Sequence, residues 1–179
     1  MSIEHRDDTG ARFGMWIFLY TEVILFGGLF ILYAVALAKF PQQFAEASHK
    51  LNVYFGATNT LVLLASSLTI AMAITAVQRN KTRQALVLCS STIVLAIIFL
   101  INKYFEWSAE ISHGIYPGSE HLAEMGPGIT TFFNLYYFTA GLHGLHILIG
   151  GTLIGVVTVF IAKGKVNSER YTLLENSAL

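Results

Sequence analysis

Four long apolar runs constrain this chain more than any other feature of its sequence. They span about 13–38, 53–77, 85–105 and 129–162, and none of them contains a proline. Each reaches the roughly 20 residues that an α-helix needs to cross the hydrocarbon core of a bilayer. Backbone groups in lipid must be satisfied within the segment itself, so these runs predict helices. The sequence therefore predicts an all-α fold: a polytopic membrane bundle of four transmembrane helices, in one domain over residues 1–179.

The composition agrees with a membrane location. Hydrophobic residues make up 54% of the 179 residues and charged residues only 12%, against about 25% charged residues in an average soluble domain. The mean hydropathy is +0.59. The formal net charge is zero, so no basic field indicates a nucleic acid partner, and we expect none. Cys89 is the only cysteine, which excludes an intrachain disulfide and a cysteine-based metal cluster.

Lysine and arginine positions predict how the helices are oriented. Eight of these residues precede the first run, fill the break between the second and third runs, or follow the fourth run. The opposite loops hold Lys39 and Lys50, and we expect Lys103, near a helix end, to snorkel to the surface. Cytoplasmic loops carry an excess of Lys and Arg, so the sequence predicts a cytoplasmic N-terminus. The eight residues are Arg6, Arg12, Arg79, Lys81, Arg83, Lys163, Lys165 and Arg170.

Glu22 places a carboxyl group in the middle third of the first run. An ionisable group at that depth is costly and marks either a functional pathway or a buried polar contact. One hypothesis is proton handling or gating; the other is a neutral acid that hydrogen-bonds to a neighbouring helix and fixes the packing. Because no lysine or arginine lies at a matching depth, we expect Glu22 to be protonated at neutral pH. Its expected partners are His143, His146 or a Thr/Ser hydroxyl group.

His143 and His146 lie three residues apart in the fourth run, so they share one face of its helix. A bis-histidine haem needs axial ligands from two facing helices, and no other run contains a histidine. A metal bound by both histidines and Glu22 would lack a further strong ligand of known spacing. We therefore predict no catalytic residue, no metal site and no cofactor bound by this chain. Both histidines are interpreted as interhelical hydrogen-bonding groups.

Small and polar residues within the runs predict how the helices pack. Gly151 and Gly155 form a small-xxx-small pair, which lets helix backbones approach closely. Asn59, in the second run, is expected to hydrogen-bond between helices or to its own helix backbone. These residues are predicted to pack helices against one another, but they do not identify which helices are in contact.

The break at about 106–128 is acidic and contains prolines and glycines, so it is predicted to be a turn-rich loop. If the third helix continued past its apolar run, Glu106, Glu110 and His113 would face one another as a possible metal site. A solvated acidic loop is the simpler interpretation.

Five stretches of the sequence resemble the cytochrome c oxidase subunit III family, in order and from about residue 12 to the end. The most specific is TFFNLYYFTAGLHGLHILIGG, at 131–151, which resembles the family's histidine–glycine–histidine helix. RYTLLE, at 170–175, resembles the segment that leads into the family's last helix, and through it Glu175 becomes a candidate site residue. The other three stretches are FGMWIFLYTEVILFGGLF at 13–30, NTLVLLASS at 59–67 and the acidic–aromatic group Phe105-Glu106-Trp107.

The resemblance implies a non-catalytic accessory subunit of a haem–copper terminal oxidase, in which oxygen is reduced to water and protons are pumped. Haem and copper are then expected in the catalytic subunit I, beside which this chain packs, with subunit II in the same complex. The resemblance also implies bound phospholipids, a route for oxygen and support of proton uptake. The chain looks like the short bacterial form without the family's two N-terminal helices, in the bacterial cytoplasmic membrane. The family continues with a fifth helix, and the sequence leaves open whether that helix follows Leu179 or is absent.

Three alternatives stay open at this point. An accessory subunit of a nitric oxide reductase has the same short helical form, since the electron acceptor is decided in subunit I. A small proton-coupled exporter would use one glutamate in its first helix, but it gives no role to the histidine helix. A membrane cytochrome is disfavoured because histidines occur in one run only. The electron donor, cytochrome c or quinol, is not indicated.

Overall fold

The structure, a computed structural model, describes residues 8–51, 53–163 and Leu174. Within those residues every regular element is an α-helix, which confirms the predicted all-α fold. Along the described chain the helices are α1 (Asp8–Lys39), α2 (Pro41–Lys50), α3 (Val53–Gln78), α4 (Thr82–Ser112), α5 (Glu120–Glu124) and α6 (Pro127–Ala162).

Four of the described helices, α1, α3, α4 and α6, are long and apolar enough to cross a membrane. The shortest, α3, has 26 residues, which corresponds to a length of about 39 Å at 1.5 Å per residue. That length exceeds the roughly 30 Å of a hydrocarbon core. The prediction of four transmembrane helices is therefore confirmed.

Helix α4 is longer than the apolar run that predicted it. The run ends at about 105, whereas the helix continues to Ser112. Glu106 and Glu110 thus lie in its last turns, and the expectation that they belong to a solvated loop is wrong. The reason is that hydropathy reports the apolar part of a helix, whereas the hydrogen-bonded ladder continues through any residues that tolerate helical dihedrals.

Helix α2 was not expected from the sequence. It begins with Pro41, whose fixed φ suits the first helical position. Phe44 and Ala47 are buried on one face, while Glu46 and Lys50 form an exposed ion pair with a 3.4 Å Nζ–Oε1 distance. The helix is too short and too polar to span a membrane, so a scan for long apolar runs misses it.

The spanning helices pack as a three-helix core with one loosely attached member. Helices α3 and α4 form the tightest pair, and α6 packs against α4. Helix α1 contacts α6 and α2. Of the α1 side chains that the structure describes, only Leu29 is buried. The bundle therefore depends on α3, α4 and α6, with α1 held against α6.

Each end of the bundle has its own apolar cluster. The turn end carries the short Arg79–Lys81 connection between α3 and α4, and Ala73, Ala85 and Cys89 are fully buried there. Leu174 is also fully buried in that cluster. The loop end carries α2 and α5, and its cluster consists of Phe44, Ala47, Leu122, Ile129, Phe132 and Phe133.

A polar clasp joins α2 to the start of α6 at the loop end. The Gln43 side chain accepts a hydrogen bond from the Gly128 backbone N–H, with an Oε1–N distance of 2.6 Å. A Cβ atom at Gly128 would lie 2.6 Å from the Phe40 Cβ and 2.9 Å from the Gln43 Cβ. Only glycine fits this close approach of the two helices.

We predict that Gly128→Ala lowers the free energy of unfolding by about 1–3 kcal/mol, the usual cost of overpacking. Thermal unfolding of the purified chain in detergent measures this loss. Gly144→Ala is the matched control, because a Cβ atom there meets nothing within 4 Å. Equal unfolding midpoints for the two variants would contradict the clasp.

Candidate functional site

Glu22 of α1 and His146 of α6 meet across the α1–α6 interface. The Nε2 atom of His146 lies 2.7 Å from Oε2 of Glu22, and the side chains are 30% and 22% exposed respectively. The distance is that of an ion pair, although the two groups are not aligned as a regular hydrogen bond. Both residues lie well inside their spanning helices. The structure thus places one of the three expected partner groups against the glutamate.

A second polar contact orients the His146 ring. Its Nδ1 atom lies 2.7 Å from the Leu142 carbonyl oxygen. A carbonyl oxygen only accepts, so Nδ1 carries a hydrogen and donates it. Nε2, the other ring nitrogen, faces the Glu22 carboxyl group across the α1–α6 interface.

His143, one turn earlier on α6, does not pair with Glu22. Its ring makes edge contacts with Phe26 and Phe99, with centroid distances of 6.3 and 6.0 Å. Phe26 also packs against the His146 ring, 5.6 Å away between centroids. The two histidines share a face of α6, as predicted, but His146 faces a carboxyl group and His143 faces aromatic rings.

An apolar cleft opens between α1 and α6, next to the Glu22–His146 pair. Its volume is about 630 Å³. The α1 wall includes Leu29 and Tyr33, and the α6 wall includes Leu135, Ala140 and His143. The cleft accompanies the loose attachment of α1, which also contributes Phe26 and Phe30 to its lining.

A second polar cluster joins α4 to α6 nearer the loop end. Lys103 Nζ lies 3.0 Å from Glu106 Oε2 and donates to the Tyr136 hydroxyl oxygen at 2.9 Å. The Tyr136 hydroxyl group in turn donates to the other oxygen of Glu106. The Lys103 and Glu106 side chains are 16% and 9% exposed. The expectation that Lys103 snorkels is therefore wrong, because a carboxylate one turn away neutralises it inside the bundle.

Glu110 lies one turn beyond Glu106 on the same helix face. One of its oxygens is buried and has no hydrogen-bond partner among the described residues. Tyr137 anchors the adjoining loop by donating its hydroxyl hydrogen to the Ile115 carbonyl oxygen, at 2.8 Å. The described residues include no group of three or more His, Cys, Asp and Glu that could hold a metal ion.

A comparison with known protein families distinguishes the oxidase subunit from the exporter and the membrane cytochrome. The family model of Cytochrome c oxidase subunit III matches residues 4–179. The chain belongs to this family. It is accordingly an accessory subunit of a haem–copper oxidase, as the resemblance implied, and the match sets aside the exporter and the membrane cytochrome.

Three relatives illustrate the range of this subunit III family. Cytochrome c oxidase subunit 3 of Corynebacterium diphtheriae is 27% identical over 161 residues, covering 89% of this chain and 74% of the relative. Cytochrome bo(3) ubiquinol oxidase subunit 3 of Buchnera aphidicola is 27% identical over 169 residues, covering 93% and 77%. The Heme-copper oxidase subunit I+III of Aeropyrum pernix is 29% identical over 146 residues, covering 78% of this chain and 16% of the relative.

These names bear on the nitric oxide reductase alternative. All three relatives are named as oxidases or their subunits, which supports an oxidase complex. One name mentions cytochrome c and another mentions ubiquinol, so the electron donor differs among these relatives.

The remaining candidate residues of this subunit III chain have different surroundings. Asn59 is 6% exposed, and its Oδ1 atom has no hydrogen-bond partner among the described residues. A Cβ atom at Gly151 would meet only the Ala96 Cβ, at 3.9 Å, and one at Gly155 would meet nothing within 4 Å. Gly151 thus lies against α4, whereas Gly155 has open space where its Cβ atom would be. Glu175 lies outside the described residues.

Two features were not predicted from the sequence: the residues that pair with Lys103, and the cleft between α1 and α6. The spacing of Lys103 and Glu106, three residues apart, was a usable signal for a pair on one helix face. The contribution of Tyr136 was not readable, because the contact joins two helices whose register depends on the whole bundle. The cleft left no signal, since its walls consist of the same apolar residues that face lipid elsewhere.

Proposed function

We propose that this chain supports a haem–copper oxidase complex by holding an exchangeable proton on Glu22 and His146. The 2.7 Å contact between Oε2 and Nε2 is the observation that supports this proposal most strongly. With one proton shared between them, the two groups have no net charge, either as a carboxylic acid beside a neutral imidazole or as a carboxylate beside an imidazolium. Such a pair is tolerated inside a membrane. Moving the proton between the two groups therefore creates no net charge in the low-dielectric interior.

The proposal also explains why two ionisable groups occupy this interface. A buried ion pair seldom stabilises a fold more than apolar residues of similar volume would. A pair that can release and regain a proton serves proton uptake by the complex, which packing alone does not require.

We predict that Glu22→Gln preserves assembly but changes the pH profile of turnover. Glutamine keeps the shape of the side chain and can donate an N–H to Nε2, but it cannot exchange the shared proton. Turnover of the assembled complex, measured between acidic and alkaline pH, should follow a pH profile different from that of the complex with Glu22. Infrared difference spectra should lose a carboxyl band that depends on Glu22.

His143→Gln is the matched control, because His143 lies one turn away and does not contact Glu22. We expect it to leave the pH profile unchanged. An unchanged profile in Glu22→Gln, with normal assembly, would reduce the pair to a packing contact and refute the proton function.

We propose further that the cleft between α1 and α6 holds phospholipid acyl chains. Its lining is almost wholly apolar and aromatic, and its volume of about 630 Å³ is within the range of ligand-binding clefts. Oxygen is apolar and partitions into hydrocarbon, so a lipid-filled cleft also offers oxygen a route towards a neighbouring subunit.

A bulky residue in the cleft tests this proposal. We predict that Ala140→Trp lowers the number of phospholipids that stay bound to the washed complex, because the indole ring occupies the space of an acyl chain. Ala71→Trp, at an exposed position of α3, is the control and should leave the number unchanged. Quantitative lipid analysis of equally assembled complexes makes the comparison, and equal lipid contents would contradict the proposal.

The partners follow from the family and from one relative. The relative from Aeropyrum pernix is named as a subunit I+III, so both subunits belong to one chain there. We propose that this chain likewise packs beside a catalytic subunit I that carries haem and copper, with subunit II in the same complex. The long apolar helices of the described chain expose large side chains over most of α1 and α3, which gives such a partner ample surface.

The orientation is proposed from the charges. Arg79, Lys81 and Arg83 lie at the turn end, whereas Lys39 and Lys50 lie at the loop end. The positive-inside rule then places the turn end and the N-terminus in the cytoplasm of a bacterial cell.

We predict that a cysteine at Arg83 reacts with a membrane-impermeant maleimide only in inside-out vesicles. A cysteine at Gln42, exposed in α2, should react only in right-side-out vesicles. The opposite pattern would reverse the orientation. Cys89 is fully buried and serves as the internal blank.

A further inference from the structure

Three cations crowd the turn between α3 and α4. Asn80 adopts a left-handed conformation, with φ of 56°, and the Lys81 N–H donates to the Ala76 carbonyl oxygen at 2.9 Å. The chain thus reverses within a few residues. Arg79 and Lys81 line one hollow of the surface, and Lys81 and Arg83 line the adjoining one. All three are exposed, and none forms an ion pair with a described residue.

The start of α4 adds positive potential at the same place. Lys81 precedes the helix without capping it through its side chain, and the first turn contains no acidic residue. The first N–H groups of a helix lack partners within the helix, and the helix dipole gives that end a partial positive charge. Ser, Thr, Asp and Asn are preferred at the position before a helix because their side chains accept hydrogen bonds from these N–H groups; in α4 Lys81 occupies that position.

A groove leads away from Arg79 and Lys81 along the outside of the α3–α4 pair. Its lining is part apolar and part polar, and consists of Met72, Thr75, Ala76, Arg79, Lys81, Gln84 and Leu88. Its volume is about 210 Å³. Met72 precedes Arg79 by two helical turns, a distance of roughly 10 Å along the helix axis. The groove therefore runs from the end of the bundle towards the middle of the membrane.

We propose that this groove binds one anionic phospholipid, with its headgroup phosphate on Arg79, Lys81 and Arg83 and an acyl chain along Met72 and Leu88. Charge complementarity selects an anionic lipid, because the amine of a zwitterionic headgroup is repelled by three cations that have no acidic partner among the described residues. The groove supplies the apolar surface that a soluble anion would leave empty. The site lies between α3 and α4, away from the α1–α6 cleft, and does not depend on the Glu22–His146 pair.

Lipid retention by the assembled complex tests the site. The delipidated complex is titrated with phosphatidylglycerol or phosphatidylcholine, and bound lipids are counted by native mass spectrometry. We expect each of Arg79→Gln, Lys81→Gln and Arg83→Gln to weaken phosphatidylglycerol binding about five-fold, the effect of one cation at a membrane surface. The triple variant should bind one phosphatidylglycerol fewer, with phosphatidylcholine binding unchanged.

Two further variants distinguish a bound phospholipid from a soluble anion held by the cations alone. Lys39→Gln removes an exposed cation at the loop end and should change nothing. Met72→Trp fills the groove but keeps all three cations, so the complex should also bind one phosphatidylglycerol molecule fewer. Unchanged phosphatidylglycerol binding in the triple variant would overturn the proposal. Normal lipid binding in Met72→Trp, with inorganic phosphate competing for the cations, would show a simple anion site and would overturn it too.

Discussion

The contact between Glu22 and His146 is the interaction on which the attachment of α1 depends. Helix α1 buries only Leu29 among its described side chains, and in lipid no hydrophobic effect drives helices together. Packing between apolar faces therefore does little to fix the position of α1 against α6. The Glu22–His146 pair, near the middle of both helices, fixes the position of α1 more firmly, because separating the two groups would leave each of them unpaired in hydrocarbon.

The cleft is a consequence of the same arrangement. Below the clasp at the loop end, α1 meets α6 mainly through Tyr33 packing against Phe132, with a centroid distance of 6.2 Å, and through Phe26 against the histidine rings. Between these contacts the two helices stay apart and leave an apolar space. The Glu22–His146 pair and the apolar cleft thus lie side by side because one helix is joined to the bundle at few points.

The sequence was most informative where a single physical rule acts locally. Length and hydropathy were sufficient to predict the four spanning helices. The position of Glu22 deep within α1 was sufficient to predict that it has a polar partner. The identity of that partner was not readable, since His143 and His146 share a helix face and only the rotation of α6 decides between them. Lys103 was misjudged for a related reason: position near a helix end favours snorkelling, but Glu106 and Tyr136 supply three polar atoms within the bundle.

Gly151 and Gly155 show the limit of motif reasoning most clearly. A small-xxx-small pair permits close approach but does not compel it, and a Cβ atom at Gly155 would meet no neighbour in the described chain. Helices α4 and α6 approach at Gly151, where a Cβ atom would lie 3.9 Å from the Ala96 Cβ, and more closely at Gly141, where it would lie 3.4 Å from the Trp107 ring. Gly155 is half-buried and has open space where its Cβ atom would be. The spacing of small residues therefore shows where a helix surface is low, whereas the neighbouring helices decide which of those positions is packed.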